Sequence, residues 1–175
     1  NGVTIIDSHA FSGCTSLTDV MIGSGVTTIG EYAFEDCESL ATIIIPKNVT
    51  LIDSGAFTDC SKLSNIKIIG DSTTIDGFSG NPFYNTAYYN NSNNWENGVL
   101  YIGNHLIKAK TSVTSVDIKE GTKTIGGSAF YYCRSLTSIE IPDSVTSIGD
   151  WAFSSCSRLT SIEVSPNNSV YKSVD

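Results

Sequence analysis

Residues 26–48 read V-T-T-I-G-E-Y-A-F-E-D-C-E-S-L-A-T-I-I-I-P-K-N, and residues 49–71 follow the same pattern as V-T-L-I-D-S-G-A-F-T-D-C-S-K-L-S-N-I-K-I-I-G-D. The period is 23 residues, and the cysteines show it along the chain, at Cys14, Cys37, Cys60, Cys133 and Cys156. A fixed period of this length predicts a solenoid, because one short unit cannot bury an apolar face alone while stacked units share a core.

The unit V-T-x-I-x-x-x-A-F-x-x-C-x-x-L-x-x-I-x-I-P-x-x is present in full copies that begin at Val3, Val26, Val49, Thr122 and Val145. Its L-x-x-I-x-I segment alternates with a period of two, which predicts a strand whose apolar residues point inward. Strands of successive coils then pair side by side in a parallel sheet. The A-F-x-x-C segment has the spacing of a short helical or 3₁₀ turn on the opposite side. The predicted fold class is a β-rich α/β solenoid.

The phenylalanines keep the same step as the cysteines, at Phe11, Phe34, Phe57, Phe130 and Phe153. We therefore expect two columns of buried side chains, one of Phe and one of Cys, inside a continuous core. Each cysteine is alone in its coil and behaves as a small apolar residue, although stacked coils also bring equivalent Cα atoms near the distance of a disulfide. Metal-binding cysteines stand a few residues apart. No metal site is predicted here.

The repeat degenerates in the middle of the chain. Subtracting 23 from the fourth full copy maps Ile125 onto Ile102 and Phe130 onto Ile107, which predicts a degenerate copy at about residues 99–121. Ile75 and Ile125 are 50 residues apart, four more than two periods of 23. The irregular stretch at about residues 78–98 is rich in asparagine and aromatic residues.

These boundaries predict one domain over residues 1–175. Regular repeats occupy about residues 3–71 and 122–167, and an irregular coil occupies about residues 72–121. Neither end carries the polar cap that a repeat array needs. We therefore expect a fragment of a longer array, and end-to-end self-association of the fragment through its unpaired strand edges.

The unit resembles the BspA-like class of leucine-rich repeats, whose 23-residue period and A-F-x-x-C-x-x-L-x-x-I-x-I-P pattern it matches over most of the chain. The irregular coil is similar to the hairpin that interrupts repeats in this family, with residues 97–102 and 106–107 as strands and Gly103-Asn104 as a two-residue turn. The resemblance implies a superhelix with a parallel sheet on its concave face and short turns on its convex side. It also implies a secreted or surface protein used in adhesion and binding.

Composition and charge exclude several functions. Eighteen acidic residues against ten basic ones give a net charge of −8, which argues against nucleic acid or an anionic membrane surface as a partner. No apolar run approaches the ~18 residues of a spanning helix. The two histidines, His9 and His105, have no nucleophile or second base at motif spacing, and phosphate-binding motifs are absent. The sequence predicts no enzyme and no cofactor.

The outward positions of the predicted strands are the first candidate site, because there a rigid backbone presents variable side chains. One column changes from Met21 and Ile44 to Asp117, Glu140 and Glu163. Stacked carboxylates repel, so the column is either a solvated acidic face or a docking strip for a basic partner. The full candidate set is Asp19, Met21, Thr42, Ile44, Asn65, Lys67, Asp117, Glu140 and Glu163.

The irregular segment is the second candidate site. Its aromatic residues Tyr84, Tyr88, Tyr89 and Trp95 stand among many asparagines. Flat rings beside amide groups suit a sugar-binding loop, and they suit equally a flap that seals the core where coils lose register.

Three functions follow. The first is a non-enzymatic module of an extracellular or cell-surface protein that binds a protein, such as a host or neighbouring-cell surface protein, through its strands. The second is carbohydrate binding by the loop at residues 78–98. The third is a spacer without a ligand.

Overall fold

The structure, a computed structural model, describes residues 2–78 and 80–173. The chain winds into about seven coils with parallel strands and very little helix, which confirms the predicted solenoid. In the described part of the chain the strands are, in order, β1 (Ile5–Ile6), β2 (Thr28–Ile29), β3 (Thr42–Ile45), β4 (Leu51–Ile52), β5 (Asn65–Ile68), β6 (Thr74–Ile75), β7 (Trp95–Glu96), β8 (Val99–Ile102), β9 (His105–Ala109), β10 (Thr124–Ile125), β11 (Ser138–Ile141), β12 (Ser147–Ile148) and β13 (Ser161–Val164).

The predicted strands pair in parallel with the predicted step. Ile43 of β3 lies opposite Ile66 of β5, and Ile139 of β11 lies opposite Ile162 of β13. In β3 and β11, exposed and buried residues alternate. We call the outward side of these strands, with the equivalent residues 19–22 and 115–118, the strand face.

Each coil also contains a second strand, which the sequence analysis did not predict. In the first half of the chain these strands form a separate parallel sheet in the order β1-β2-β4-β6, with Ile29 opposite Ile52. In the second half, β10 and β12 join the sheet of the hairpin by parallel pairing of β10 with β9. Threonine and isoleucine favour extended backbone. The signal was present, but each such strand is only two residues long.

The A-F-x-x-C segments form successive tight turns rather than helix. In the second coil the N–H groups of Ala33 and Cys37 donate to carbonyls three residues back, while the N–H of Phe34 donates to Ala56 O of the next coil at 2.8 Å. Tyr32 and Asp36 have left-handed φ values of 53° and 56°. Such residues stop a helix from propagating. These segments form the turn face.

The irregular segment contains the predicted hairpin. β8 and β9 are antiparallel and joined by Gly103-Asn104, with Gly103 at a φ of 58°. A second tight turn, Asn97-Gly98, joins β7 to β8, and both of its residues have positive φ. Asn-Gly is the strongest short-range hairpin signal. Helix α1 (Ala87–Asn90) and a 3₁₀ turn at Ser92–Asn94 precede the hairpin.

The predicted alignment across the hairpin is wrong in its first half. Ile125 pairs with Leu106 rather than with Ile102. In the next coil the N–H of Phe130 donates to Ala152 O. The equivalent bond to Ala129 O is donated by Ala109, whereas the predicted alignment places Ile107 at that position. The reason is that β10 pairs with β9, the second strand of the hairpin, so the extra residues lie before β9.

The predicted 23-residue step returns after the hairpin. Asp117 bridges Glu140 in parallel, and Thr137 N–H donates to Thr114 O. The second half of the degenerate copy was therefore aligned correctly.

The hairpin divides the interior into two cores, which corrects the expectation of one continuous core. Leu100 and Ile107 pack in the first core, while Val99, Tyr101 and Leu106 pack in the second. Successive strand residues point to opposite sides. A strand pair with both faces apolar and buried therefore serves both halves of the solenoid at once.

The phenylalanine column is buried only where coils lie on both sides. Phe34 and Phe57 are fully buried and stacked at 5.2 Å between ring centroids. The column continues to Phe83, 5.6 Å from Phe57, which the sequence analysis missed because the step there is 26 residues. Phe11, in the first coil, is 42% exposed. Phe130 stacks on the partly buried Phe153 in the second core.

The cysteine column follows the same rule. All five cysteines are free, with Cys37, Cys60 and Cys133 buried, Cys156 partly buried and Cys14 exposed. The Sγ of Cys60 donates to the carbonyl of Phe34 in the preceding coil at 3.0 Å. Burial, first among the causes, raises the pKa of Cys60 to about 12 and that of Cys37 to about 11. These thiols are neutral donors that tie one coil to the next.

Candidate functional site

The strand face presents the predicted candidate residues to solvent. The column of outward residues that begins with Met21 and Ile44 is apolar in the first half of this face. Met21 is 97% exposed, and Ile44 lies beside it on β3. Ile69, where the repeat pattern has proline, adds a third exposed apolar side chain and was missed by the sequence analysis. A surface cavity of about 600 Å³ is lined by these residues together with Val20 and Pro46. We call Met21, Ile44 and Ile69 the apolar patch.

The second half of the strand face is acidic. Asp117 pairs with Glu140, and Glu140 pairs with Glu163, on successive strands. Adjacent strands are about 4.8 Å apart. Glu120 and Asp143 line the same small cavity of about 260 Å³ beside this column. We call Asp117, Glu140 and Glu163 the acidic column.

Two lysines near the strand face, Lys119 and Lys67, form no ion pair with the acidic column among the described residues. Lys119 Nζ forms an ion pair with Glu96 Oε1 at 3.1 Å and lies 5.8 Å from the centre of the Tyr101 ring. Lys67 stands on β5 opposite Ile44, next to the apolar patch. Across residues 2–78 and 80–173, no group of three or more His, Cys, Asp or Glu residues is arranged to hold a metal ion.

The remaining candidate strand residues flank these two groups. They are all exposed, and they are Asp19, Thr42 and Asn65.

Most of the aromatic residues of the loop pack against the solenoid. Tyr88 and Tyr89 pack against the first core with Trp95. Tyr88 Oη donates to Tyr101 O at 2.8 Å, and Trp95 Nε1 donates to Tyr89 O at 2.8 Å. Tyr84 alone of the four is largely exposed, with its ring edge-on to Tyr89. Three of the four rings therefore fix the loop to the solenoid.

The two histidines have different environments. His105 is buried, and its Nε2 lies 2.9 Å from Gly70 O while its Nδ1 lies 2.8 Å from Thr124 Oγ1. A carbonyl only accepts, so Nε2 carries the proton and Nδ1 accepts from the threonine. Burial lowers the His105 pKa. Its contacts join the hairpin to the coils on both sides. His9 is exposed and stacks on Tyr32.

Comparison with known proteins identifies the repeat. Residues 1–91 and 78–174 match the BspA type leucine-rich repeat region, in six copies. The chain therefore belongs to this family of repeat proteins. None of the helices in the described residues has the length and apolar character needed to cross a membrane.

Several solved bacterial proteins are similar to the chain. A leucine-rich repeat protein from Bacteroides ovatus is 22% identical over 93% of this chain and 52% of its own, with a TM-score of 0.47. A leucine-rich cell surface protein from Faecalibacterium prausnitzii is 27% identical over 91% of this chain and 58% of its own, with a TM-score of 0.39. A leucine-rich repeat protein of T. pallidum is 25% identical over 91% of this chain and 51% of its own, with a TM-score of 0.39.

The chain spans between about half and three-fifths of the length of these proteins. No curated protein sequence shows significant similarity to it.

Proposed function

We propose that the chain is a non-enzymatic binding module of an extracellular or cell-surface protein, and that it recognises a protein partner through its strand face. The observation that carries this proposal is the apolar patch and the acidic column on one face. Family membership supports a repeat protein that binds other proteins in general. The location outside the cell rests on the same family resemblance.

The apolar patch supplies the anchoring contact. A side chain as exposed as Met21 exposes apolar area that contributes nothing to folding. Contiguous exposed apolar surface of this kind marks interaction sites. Methionine is flexible and polarizable, so it adapts to the shape of a partner.

The acidic column supplies charge complementarity. Three stacked carboxylates attract a basic partner and repel an acidic one, which affects association rate and selectivity more than affinity. From Ile44 to Glu140 the strand face crosses about four strand spacings, or roughly 20 Å. An extended segment covers this distance with about six residues. The partner segment therefore carries an apolar residue and basic residues about six positions apart.

Selection of peptides from a random display library tests this proposal. Peptides selected on the chain are expected to combine apolar with Lys or Arg residues, and their binding is expected to weaken as salt rises. Glu140→Lys is expected to reduce binding at least about tenfold, equivalent to ~1.4 kcal/mol. Glu38→Lys, an equal charge change at an exposed site after Cys37, is the control. Equal binding to both variants, or selected peptides without basic residues, contradicts the proposal.

The outer side of the first coil supports the proposed self-association. Val3, Ile5 and Phe11 are exposed there around a cavity of about 500 Å³. We propose that a coil of a second copy covers this surface. Sedimentation should show mass increasing with concentration, and Ile5→Asp should abolish the increase. A monomer at every concentration contradicts the proposal.

A further inference from the structure

A separate cavity lies on the turn face where the two cores meet. Its volume is about 500 Å³, and its side-chain lining includes Phe78, Tyr131, Trp151 and Lys108. Phe78 belongs to the irregular segment, Lys108 to the hairpin strand β9, and Trp151 to the coil that follows β12. The cavity thus exists only because the regular stacking is interrupted.

The aromatic residues of this cavity are exposed more than the fold requires. Phe78 is 65% exposed and Trp151 is 55% exposed, although their ring centroids are 5.8 Å apart. Trp151 has a left-handed φ of 58°, which is unfavourable for a bulky residue. The equivalent positions of other coils also have positive φ, and they hold rings at His9 and Tyr32 but small residues at Gly55 and Ser128. A large ring at position 151 is therefore not demanded by the coil.

Lys108 places a positive charge beside these rings. Its Nζ donates to Ser128 O at 2.7 Å, and in the described residues it makes no ion pair. Burial lowers its pKa, because the ammonium loses solvent without gaining a carboxylate. Two of its three donor positions are left for other partners.

Part of the cavity lining is bare backbone, contributed by Gly77 and Gly127. A Cβ added at Gly77 would collide with the carbonyl oxygen of Gly127, so no side chain fits between these two backbones. A ligand therefore meets backbone and no side chain at this part of the lining.

We propose that this cavity binds a glycan through a sugar unit that carries a carboxylate. The apolar C–H face of the sugar ring stacks on Trp151 and Phe78, and its carboxylate pairs with Lys108 Nζ. The cation disfavours a quaternary ammonium ligand, which aromatic groups otherwise bind well. The mixed lining of rings, one charge and backbone carbonyls is typical of small-ligand sites, and the volume lies within their usual range of about 300–1,000 Å³.

Binding to an array of glycans that contain uronic or sialic acid, each with its carboxyl-reduced neutral counterpart, tests the proposal. The chain is expected to bind acidic members at least about tenfold more tightly than their neutral counterparts. Trp151→Ala should lower this affinity at least about tenfold. Lys108→Met should remove the preference for the acidic member. Tyr84→Ala and Lys62→Met, which change exposed residues outside the cavity, are the matched controls.

A local readout separates loss of binding from loss of folding. The chain has two tryptophans, so Trp95→Phe leaves Trp151 as its single indole fluorophore. Its emission is expected to change on titration with the acidic sugar and to stay constant with the neutral one. The proposal is overturned if no acidic glycan binds, if neutral and acidic members bind equally, or if the Trp151→Ala variant, shown by melting to be folded, binds as well as the parent. None of these outcomes bears on recognition at the strand face.

Discussion

The first and third coils have nearly the same sequence pattern and very different interiors. In the third coil Phe57 and Cys60 are fully buried, whereas in the first coil Phe11 is 42% exposed and Cys14 lies at the surface. The side chains point inward in both cases. A repeat residue is therefore buried by the coils on either side of it and not by its own coil.

The largest expected difference between the two coils is in stability. Phe57→Ala should lower the free energy of unfolding by ~3–5 kcal/mol, because a cavity is left between fixed neighbours. Phe11→Ala should cost less than ~1.5 kcal/mol, because its ring is half solvated. Urea denaturation followed by circular dichroism measures both. Similar losses in the two variants would contradict the argument from neighbours.

The last coil shows that an outer coil can be held by polar contacts instead. The buried amide of Asn168 donates to Pro142 O at 2.8 Å and to Val145 O at 3.0 Å, and its Oδ1 accepts from the N–H groups of Val170 and Tyr171. Asn168→Ala should cost ~1–3 kcal/mol, because buried carbonyls lose their donor.

Asn167→Ala is the control for this change, since Asn167 is exposed. Thermal melting of both variants measures the difference. If Asn167→Ala is as destabilising as Asn168→Ala, the amide contacts do not hold the coil.

The pH dependence of stability should also report on the burial of the inner coils. Burial raises the pKa of Cys60 to about 12 from an ordinary value of 9.0. The unfolded chain therefore loses this proton first as the pH rises. The contribution of the thiol is complete below about pH 9 and is lost as the pH rises toward 12.

The slope from each thiol is at most ~1.4 kcal/mol per pH unit. Cys60→Ala should make the alkaline decline in urea midpoint less steep than it is in the parent. An identical slope in the parent and Cys60→Ala would count against the assigned burial.

The smallest effect concerns reactivity without any change of stability. In the native protein Cys14 should react with iodoacetamide at nearly the rate of an unfolded peptide, because its thiol is exposed. Cys60 should react only when the coil opens, because the thiolate is the reactive form and burial suppresses it. Peptide mass spectrometry over time gives the order. Labelling of Cys60 before Cys14 would reverse the comparison of the two coils.

Most of the regular architecture was predictable because it depends on local patterns. The 23-residue period, the alternation in β3 and β11 and the Gly103-Asn104 turn all act over short stretches of chain. The second sheet was missed because strands of two residues, such as β2, leave too little periodicity to detect. Phe83 was missed because a three-residue shift hides it from any search at fixed spacing.

The candidate sites were predictable to different degrees. The outward direction of Met21 and Glu140 follows from strand alternation alone. Ile69 broke the repeat pattern at a proline position and could have been found by that departure. The cavity of Phe78, Lys108 and Trp151 gave no sequence signal, because its residues are contributed by distant segments of the chain.

The sequence by itself determined that this chain is a stack of coils with its Phe and Cys columns directed toward the interior, since each coil repeats the same local pattern of apolar residues. Only the tertiary structure decided that the interior is split in two by β8 and β9, because strand pairs with two apolar faces can be buried on either side. The tertiary structure also decided which Phe and Cys side chains are fully buried from solvent, because in a solenoid the neighbouring coils provide the burial.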